Sequence, residues 1–322
     1  MTLMRPRGLV GNTWATRVAV LLLCLACSQC TGNTPTTPTP PGPTTQVPPV
    51  TPPNPTPIFG PELFSGAGDI AVCAGGVQDA TARLLDSIGG TIFTLGDNAY
   101  MEGTARQFRE CYDPSWGRPQ LKSRTRPSPG NHEYGTPNAM GYFDYFGGNA
   151  GPPGLGYYSF DLGAWHIVSL NSEVPAELNS AQGRWLLSDL AASTASCTLA
   201  YWHKPLFTSG PNGDNPHMRP FWRMLYEFGA EIVLNGHDHL YERFSPQDPD
   251  GRFDREKGIR EFIVGTGGVP FYPFVVTKPN SDLRFNQSHG ILKLTLKNDS
   301  YDWEFIPVAG ARDRDSGTGT CH

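Results

Sequence analysis

The chain has 322 residues, a formal net charge of −5 and 17% charged residues. Mild acidity gives no reason to expect a nucleic-acid partner, and the length allows a single large domain with extensions. The 31 prolines are unevenly spread, with a dense run of them over residues 35–57.

In chain order, Arg5, Arg7 and Arg17 precede an apolar run from Val18 to Ala26, followed by Cys27. A basic lead, a short apolar run and a small residue before the break predict a secretory signal over 1–27. The run is too short to span a bilayer as an ordinary helix. Leu25-Ala26-Cys27 is similar to a bacterial lipoprotein acceptor, with Cys24 where such sites usually carry Leu. Lipid attachment to Cys27 and plain cleavage with release both stay open, and any membrane contact is expected through that lipid alone. The location is therefore expected to be exported: extracellular, periplasmic or lipid-anchored.

Residues 28–58 form the next segment. In 31–57, twenty of 27 residues are Thr or Pro and none is charged. Such a stretch cannot bury a core and is expected to be a disordered, extended tether, reaching about 80 Å at ~3.1 Å per residue. Residues 59–310 are long enough for one sizeable catalytic domain, with 311–322 expected as a tail. Cys73, Cys111, Cys197 and Cys321 suggest two disulfides in an exported chain. Of three pairings, Cys73 with Cys111 and Cys197 with Cys321 is preferred. With no CxxC pair, zinc–thiolate chemistry is not expected.

Short β-branched or aromatic runs predict strands at 91–95, 165–170, 197–202, 231–235, 261–266, 290–296 and 301–308, the last two antiparallel. Helices are predicted over 76–88, with Val77, Ala80, Leu84 and Ile88 on one stripe, over 181–193 after an Asn179-Ser180 cap, and over 218–229, where Gly229 closes the last turn. Helix and strand alternate before a strand-only end, which reads as α/β with an antiparallel portion.

Polar residues gather where these strands stop, the place where α/β sheets build their sites. "SGAGDIA" carries Asp69, "TLGDNAY" carries Asp97 and Tyr100, and "PGNHEY" carries Asn131, His132 and Glu133. "YWHKPLF" carries His203, and "LNGHDH" carries His237 and His239. Each alone reads as a turn or a hydrogen-bonded structural residue. Together they offer oxygen and imidazole donors without cysteine, a mix that suits transition metals and is too large for one tetrahedral ion.

This ordered set resembles the calcineurin-like metallophosphoesterases, and the Tyr of the Gly-Asp-x-x-Tyr block narrows the resemblance to the purple acid phosphatase-like branch. It extends to "CYDPSWG", "HKPLF", "GTGG" and the closing "YDWEFIPVAG". One departure is Asp69-Ile70-Ala71, where that branch usually has Asp-x-Gly. The resemblance implies two packed mixed β-sheets flanked by helices, a four-layer αββα arrangement. It also implies two metal sites, one held by Asp69, Asp97, Tyr100 and His239, the other by Asp97, Asn131, His203 and His237. A phenol with a reference pKa near 10 becomes a ligand at neutral pH only beside a strongly polarising ion. Fe³⁺ is thus expected on Tyr100, and Zn²⁺, Mn²⁺ or Fe²⁺ at the second site.

The implied activity is hydrolysis of small phosphomonoesters by attack of a metal-bound hydroxide, with His132 steadying phosphate or protonating the leaving group. His217 in "GDNPHMRP" is a second candidate acid. Glu133, Asp238 and Asn171 are expected behind the ligands or at the rim. Tyr142, Phe143, Tyr145 and Phe146 are expected in the core, and His166 is expected to be structural. A phosphodiesterase or nucleotidase on the same centre is the alternative, and a non-catalytic tethered binding domain the distant one.

Overall fold

A computed structural model describes residues 59–322. The expected signal over 1–27, the tether over 28–58 and the acceptor Cys27 lie outside the described residues. No described helix is long and apolar enough to cross a membrane.

Among the described residues thirteen strands appear in the order β1 Glu62–Ala67, β2 Thr91–Leu95, β3 Thr125–Ser128, β4 Tyr158–Leu162, β5 Trp165–Ser169, β6 Cys197–Tyr201, β7 Ile232–Asn235, β8 Tyr241–Phe244, β9 Arg260–Val264, β10 Ser281–Phe285, β11 Gly290–Leu296, β12 Ser300–Pro307 and β13 Ser316–Thr320. The α-helices are α1 Gln78–Asp86, α2 Ala105–Gln107, α3 Pro119–Lys122, α4 Met140–Phe146, α5 Ala181–Ala192 and α6 Arg219–Glu227. The strands form a six-stranded sheet, β13-β12-β11-β1-β2-β3, and a seven-stranded sheet, β10-β8-β9-β7-β6-β5-β4. Both are mixed: β1-β2-β3 and β5-β6-β7-β9 run parallel, and the remaining pairs are antiparallel.

Alternation along the strands explains the layering. Ile167, Leu199, Ile232 and Phe262 face Phe64, Phe93 and Leu292 of the other sheet in one continuous core. Their neighbours Val168, Ala200, Val233 and Ile263 turn the other way, onto Leu186 and Leu190 of α5 and Phe221, Trp222 and Leu225 of α6. Strands buried on both faces read as unbroken apolar runs, which is why β2, β6, β7 and β9 are visible in the sequence. Ser180 caps α5 by accepting from the Gly183 amide at 2.9 Å. Gly229 follows α6 at φ +71°.

Two expectations are corrected. In α1 the fully buried residues are Thr81, Ala82 and Leu85, and of the expected stripe Leu84 and Ile88 pack against the core only partly buried. Residues 311–322 are no loose tail. They carry β13, which pairs with β12. Buried Asp315 anchors that strand by accepting from Tyr241 Oη at 2.7 Å and Arg243 Nε at 2.8 Å. Disulfides join Cys73 to Cys111 and Cys197 to Cys321.

Candidate metal centre

Five strands of the two sheets deliver polar side chains just past their carboxyl ends. Asp69 follows β1, Asp97 follows β2, Asn131 follows β3, His203 follows β6 and His237 follows β7. The chain must turn sharply at these points. Asp69, Asp97 and His237 take positive φ of 59°, 50° and 70°, unusual for residues with a Cβ. Such strain costs about 1–3 kcal/mol per residue and gathers at functional sites. Two glycines allow the loops to close on one another. A Cβ on Gly130 would lie 2.3 Å from Asp97 Oδ1, and one on Gly236 would lie 2.7 Å from Asp69 Oδ2.

The side chains meet in two groups. In the first, Tyr100 Oη lies 3.0 Å from Asp69 Oδ1, 3.2 Å from Asp97 Oδ2 and 3.2 Å from His239 Nε2. In the second, His203 Nε2 lies 3.1 Å from Asn131 Oδ1, 3.1 Å from His237 Nδ1 and 3.1 Å from Asp97 Oδ2. The two groups share one atom, Asp97 Oδ2. All seven side chains singled out as metal donors are thus brought together, and among the described His, Cys, Asp and Glu residues Asp97, His203 and His237 satisfy a single-ion spacing.

Proton counting tests whether a cation fits. His203 Nδ1 donates to the Leu95 carbonyl at 2.7 Å, and His239 Nδ1 donates to the Pro270 carbonyl at 2.9 Å. In the neutral rings the Nε2 atoms then keep their lone pairs and aim them inward. Around His203 Nε2 stand an amide oxygen, a carboxylate oxygen and a second imidazole nitrogen, more acceptors than available protons. Bonds of about 2.1 Å to one ion set neighbouring donors roughly 3.0–3.4 Å apart, the spacing found here. The donor set fits metal ions.

The electrostatics agree. Burial pushes the Asp69 carboxyl up to about 8 against the pull of His203. Burial would raise Asp97 too, but His203 beside it holds it well below the usual carboxylate range. Burial lowers His203, yet Asp97 outweighs it and lifts the imidazole to about 10. Burial, helped by the charge of His203, drives His237 down to about 2, and burial takes His239 down to about 4. Burial and the Asp69 carboxylate hold the Tyr100 phenol far above its ordinary value. These opposed shifts mark a buried cluster whose protons a bound cation would displace.

Other residues hold this arrangement. Buried Glu133 accepts from the amides of Asp97 at 2.9 Å, Asn98 at 2.8 Å, Ala99 at 3.3 Å and Gly130 at 2.7 Å, tying two loops together. Asp238 points away and accepts from Thr208 Oγ1 at 2.6 Å. Asn171 donates to Tyr134 Oη at 2.8 Å and to the Leu155 carbonyl at 3.0 Å. The Gly236–His239 segment is a bend, with Asp238 N donating to the Gly236 carbonyl. His237 joins one group and His239 the other. Tyr142 and Phe146 are buried and Phe143 and Tyr145 pack against the core, as expected.

His132 stands at the edge of the centre, partly exposed. Its Nδ1 meets the Met101 carbonyl at 2.5 Å, its ring lies 4.3 Å from that of Tyr100, and its Nε2 is 3.7 Å from Asp97 Oδ2. His217 is not among the side chains brought together. It is exposed on a turn before α6, with Nε2 3.1 Å from the Val174 carbonyl. Two rim residues were missed in the sequence. Asn212 Nδ2 donates to the His237 carbonyl at 2.9 Å, and the Tyr272 ring stacks on His239 at 3.9 Å and 13°. Tyr272 sits in a Pro-aromatic loop with no periodic link to the "GHDH" block, so only the fold brings it there.

The family model for calcineurin-like phosphoesterases matches residues 66–241, from the end of β1 to the start of β8. The chain belongs to the calcineurin-like phosphoesterase family. The curated relatives it matches include purple acid phosphatases. It is 31% identical over 222 residues to purple acid phosphatase 21 of Arabidopsis thaliana, covering 61% of this chain and 47% of that one. It is 28% identical over 210 residues to acid phosphatase type 7 of Homo sapiens, covering 54% of this chain and 47% of that one. A purple acid phosphatase from yellow lupin (Lupinus luteus) seeds shares the fold at a TM-score of 0.69 and 17% identity, over 81% of this chain and 54% of that one. The chain spans about half the length of the curated relatives it matches.

Proposed function

We propose that this calcineurin-like phosphoesterase hydrolyses phosphomonoesters at a dinuclear centre. Asp69, Tyr100 and His239 would hold one ion, Asn131, His203 and His237 the other, and Asp97 both. The observation that carries the reading is the position of Asp97 Oδ2 in both donor groups, 3.2 Å from Tyr100 Oη and 3.1 Å from His203 Nε2. The phenol and two carboxylates of the first group favour Fe³⁺, and the neutral donors of the second favour Zn²⁺, Mn²⁺ or Fe²⁺. Such a pair, when bound, supplies the charge that clamps a phosphoryl group and acidifies water.

The chain's own residues do the rest. Backbone carbonyls fix the tautomers of His203 and His239, so each presents Nε2 inward. The Met101 carbonyl fixes His132 at Nδ1 and leaves Nε2 toward the centre, where it would hold the proton passed to a leaving alcohol oxygen. Glu133 keeps the Asp97 and Asn131 loops in register. Export and a catalytic domain over 59–310 extended by β13 complete the reading, supported by the two disulfides.

The test is turnover of a chromogenic phosphomonoester and its diester counterpart by the full chain loaded with iron and a divalent ion. Monoester turnover is expected, with His132→Ala slower by about 10²–10⁴-fold at unchanged metal content. A folded, metal-loaded chain inert toward both esters would overturn the proposal, and a faster diester rate would reassign it to phosphodiesterases.

A further inference from the structure

The surface around the centre is not uniform. Beside the second donor group it is polar. Exposed Asn212 hydrogen-bonds the His237 carbonyl, and Lys204 Nζ pairs with Glu173 Oε2 at 2.6 Å. Beside the first group it is apolar. There Met101, next to Tyr100, is 60% exposed, and the loop that follows β9 lays the Tyr272 ring on His239.

That loop is fixed against the centre rather than draped near it. The Val269 amide donates to the Asp69 carbonyl at 3.2 Å, and the Tyr272 amide donates to the His239 carbonyl at 3.0 Å. Asn286 Nδ2 holds the Tyr272 carbonyl at 2.6 Å. The Tyr272 ring therefore lies flat on His239 while remaining partly open to solvent. Pro270 already locks His239 through Nδ1, so the stacked ring is not needed to fix that tautomer.

We propose that Tyr272 is a specificity-determining residue of this centre. Its ring is a flat apolar wall for the alcohol portion of the substrate, with the phosphoryl group directed to the donor cluster and the polar rim beyond it. The preferred substrate class is then phosphoesters of aryl or other flat apolar alcohols, over those of polyols. This inference rests on the phosphoester reading above. Aromatic contacts of this kind change affinity by about three- to tenfold.

Phenylphosphonate and methylphosphonate separate this wall from catalysis, because neither has an ester bond to cleave. Their affinities are measured on the full chain loaded with iron and a divalent ion, as wild type, Tyr272→Phe and Tyr272→Ala, with metal content read on the same samples. Wild type should favour the phenyl compound. Tyr272→Ala should reduce that preference by about three- to tenfold, and Tyr272→Phe should keep it. If Tyr272→Ala loses metal, Tyr272→Leu supplies aliphatic bulk over His239 and should still weaken the preference. Equal affinities in wild type, or a preference untouched by removing the ring, would overturn the proposal. A phenyl preference without ester turnover leaves the wall standing and removes the phosphatase reading. Turnover without a phenyl preference does the reverse.

Discussion

At the strand ends, His203 Nε2 faces Asp97 across 3.1 Å, and on the helix-covered face of the seven-stranded sheet His166 lies 2.9 Å from both Asp161 and Asp189. The residue types match but the wiring differs. Each nitrogen of His166 meets its own carboxylate, so two protons satisfy the whole set. Asp189 Oδ1 also accepts from Ser159 Oγ at 2.7 Å, which pins β4 and β5 to α5. At the centre, backbone carbonyls take the outer nitrogens of His203 and His239, and the inner nitrogens meet acceptors, a phenol and another imidazole. One arrangement closes on protons and the other calls for cations. A structural histidine is thus told from a ligand by what its second nitrogen binds, rather than by its carboxylate neighbour.

Breaking each region should have different consequences. The largest effect is expected from Asp97→Asn, which weakens the oxygen shared by both donor groups. Turnover should fall by on the order of 10³-fold, more than the ~10–100-fold typical of residues behind the ligands, with both metals depleted. Elemental analysis and initial rates check this, and Asp189→Asn should leave both unchanged. Glu133→Gln comes next. It leaves one acceptor oxygen for amides now shared between two, so turnover should drop by about 10–100-fold while the sheets stay folded by circular dichroism.

Metal removal sharpens the contrast through stability. Ions that bind only the folded chain stabilise it in proportion to RT ln(1 + [L]/Kd). Chelation should therefore lower the Tm of wild type and of Asp189→Asn alike, and barely move that of Asp97→Asn, as read by calorimetry.

The smallest effect belongs to His166. Burial opposes its charge, but Asp189 and Asp161 hold its pKa above the usual imidazole value. The protonated form then contributes stability that is full below about pH 6.5 and fades as the pH climbs through the raised folded value. Asp189→Asn should cost about 1–2 kcal/mol in urea unfolding at about pH 6, and less at about pH 9. A cost that does not shrink with rising pH would contradict the charged clamp.

Much of this was legible because the parallel core strands are buried on both faces and end in short polar blocks. β2 and β11 match their predicted bounds, and β5, β6, β7, β9 and β12 match within a residue or two. β1, β3, β4, β8, β10 and β13 fall outside the predicted strands. "ELFSGA" is broken by glycine, "TRPS" carries a proline, and "SGTGT" has no apolar side chain; each is a strand only because a neighbour supplies its ladder. The seven candidate donors were legible as a set because five short polar blocks carry them in order along the chain. The stack of Tyr272 on His239 and the four-amide grip of Glu133 were not, because both depend on how separate loops meet.

The central claim is that the strand ends hold two ions, one of them ferric and bound to Tyr100. Metal analysis joined to a visible spectrum tests it most directly. The account predicts two ions per chain, one of them iron, and a charge-transfer band that Tyr100→Phe abolishes while His203→Ala keeps the band and loses the divalent ion. A colourless, active, iron-free chain would contradict the ferric assignment, and a fully active chain with a single ion would contradict the shared centre.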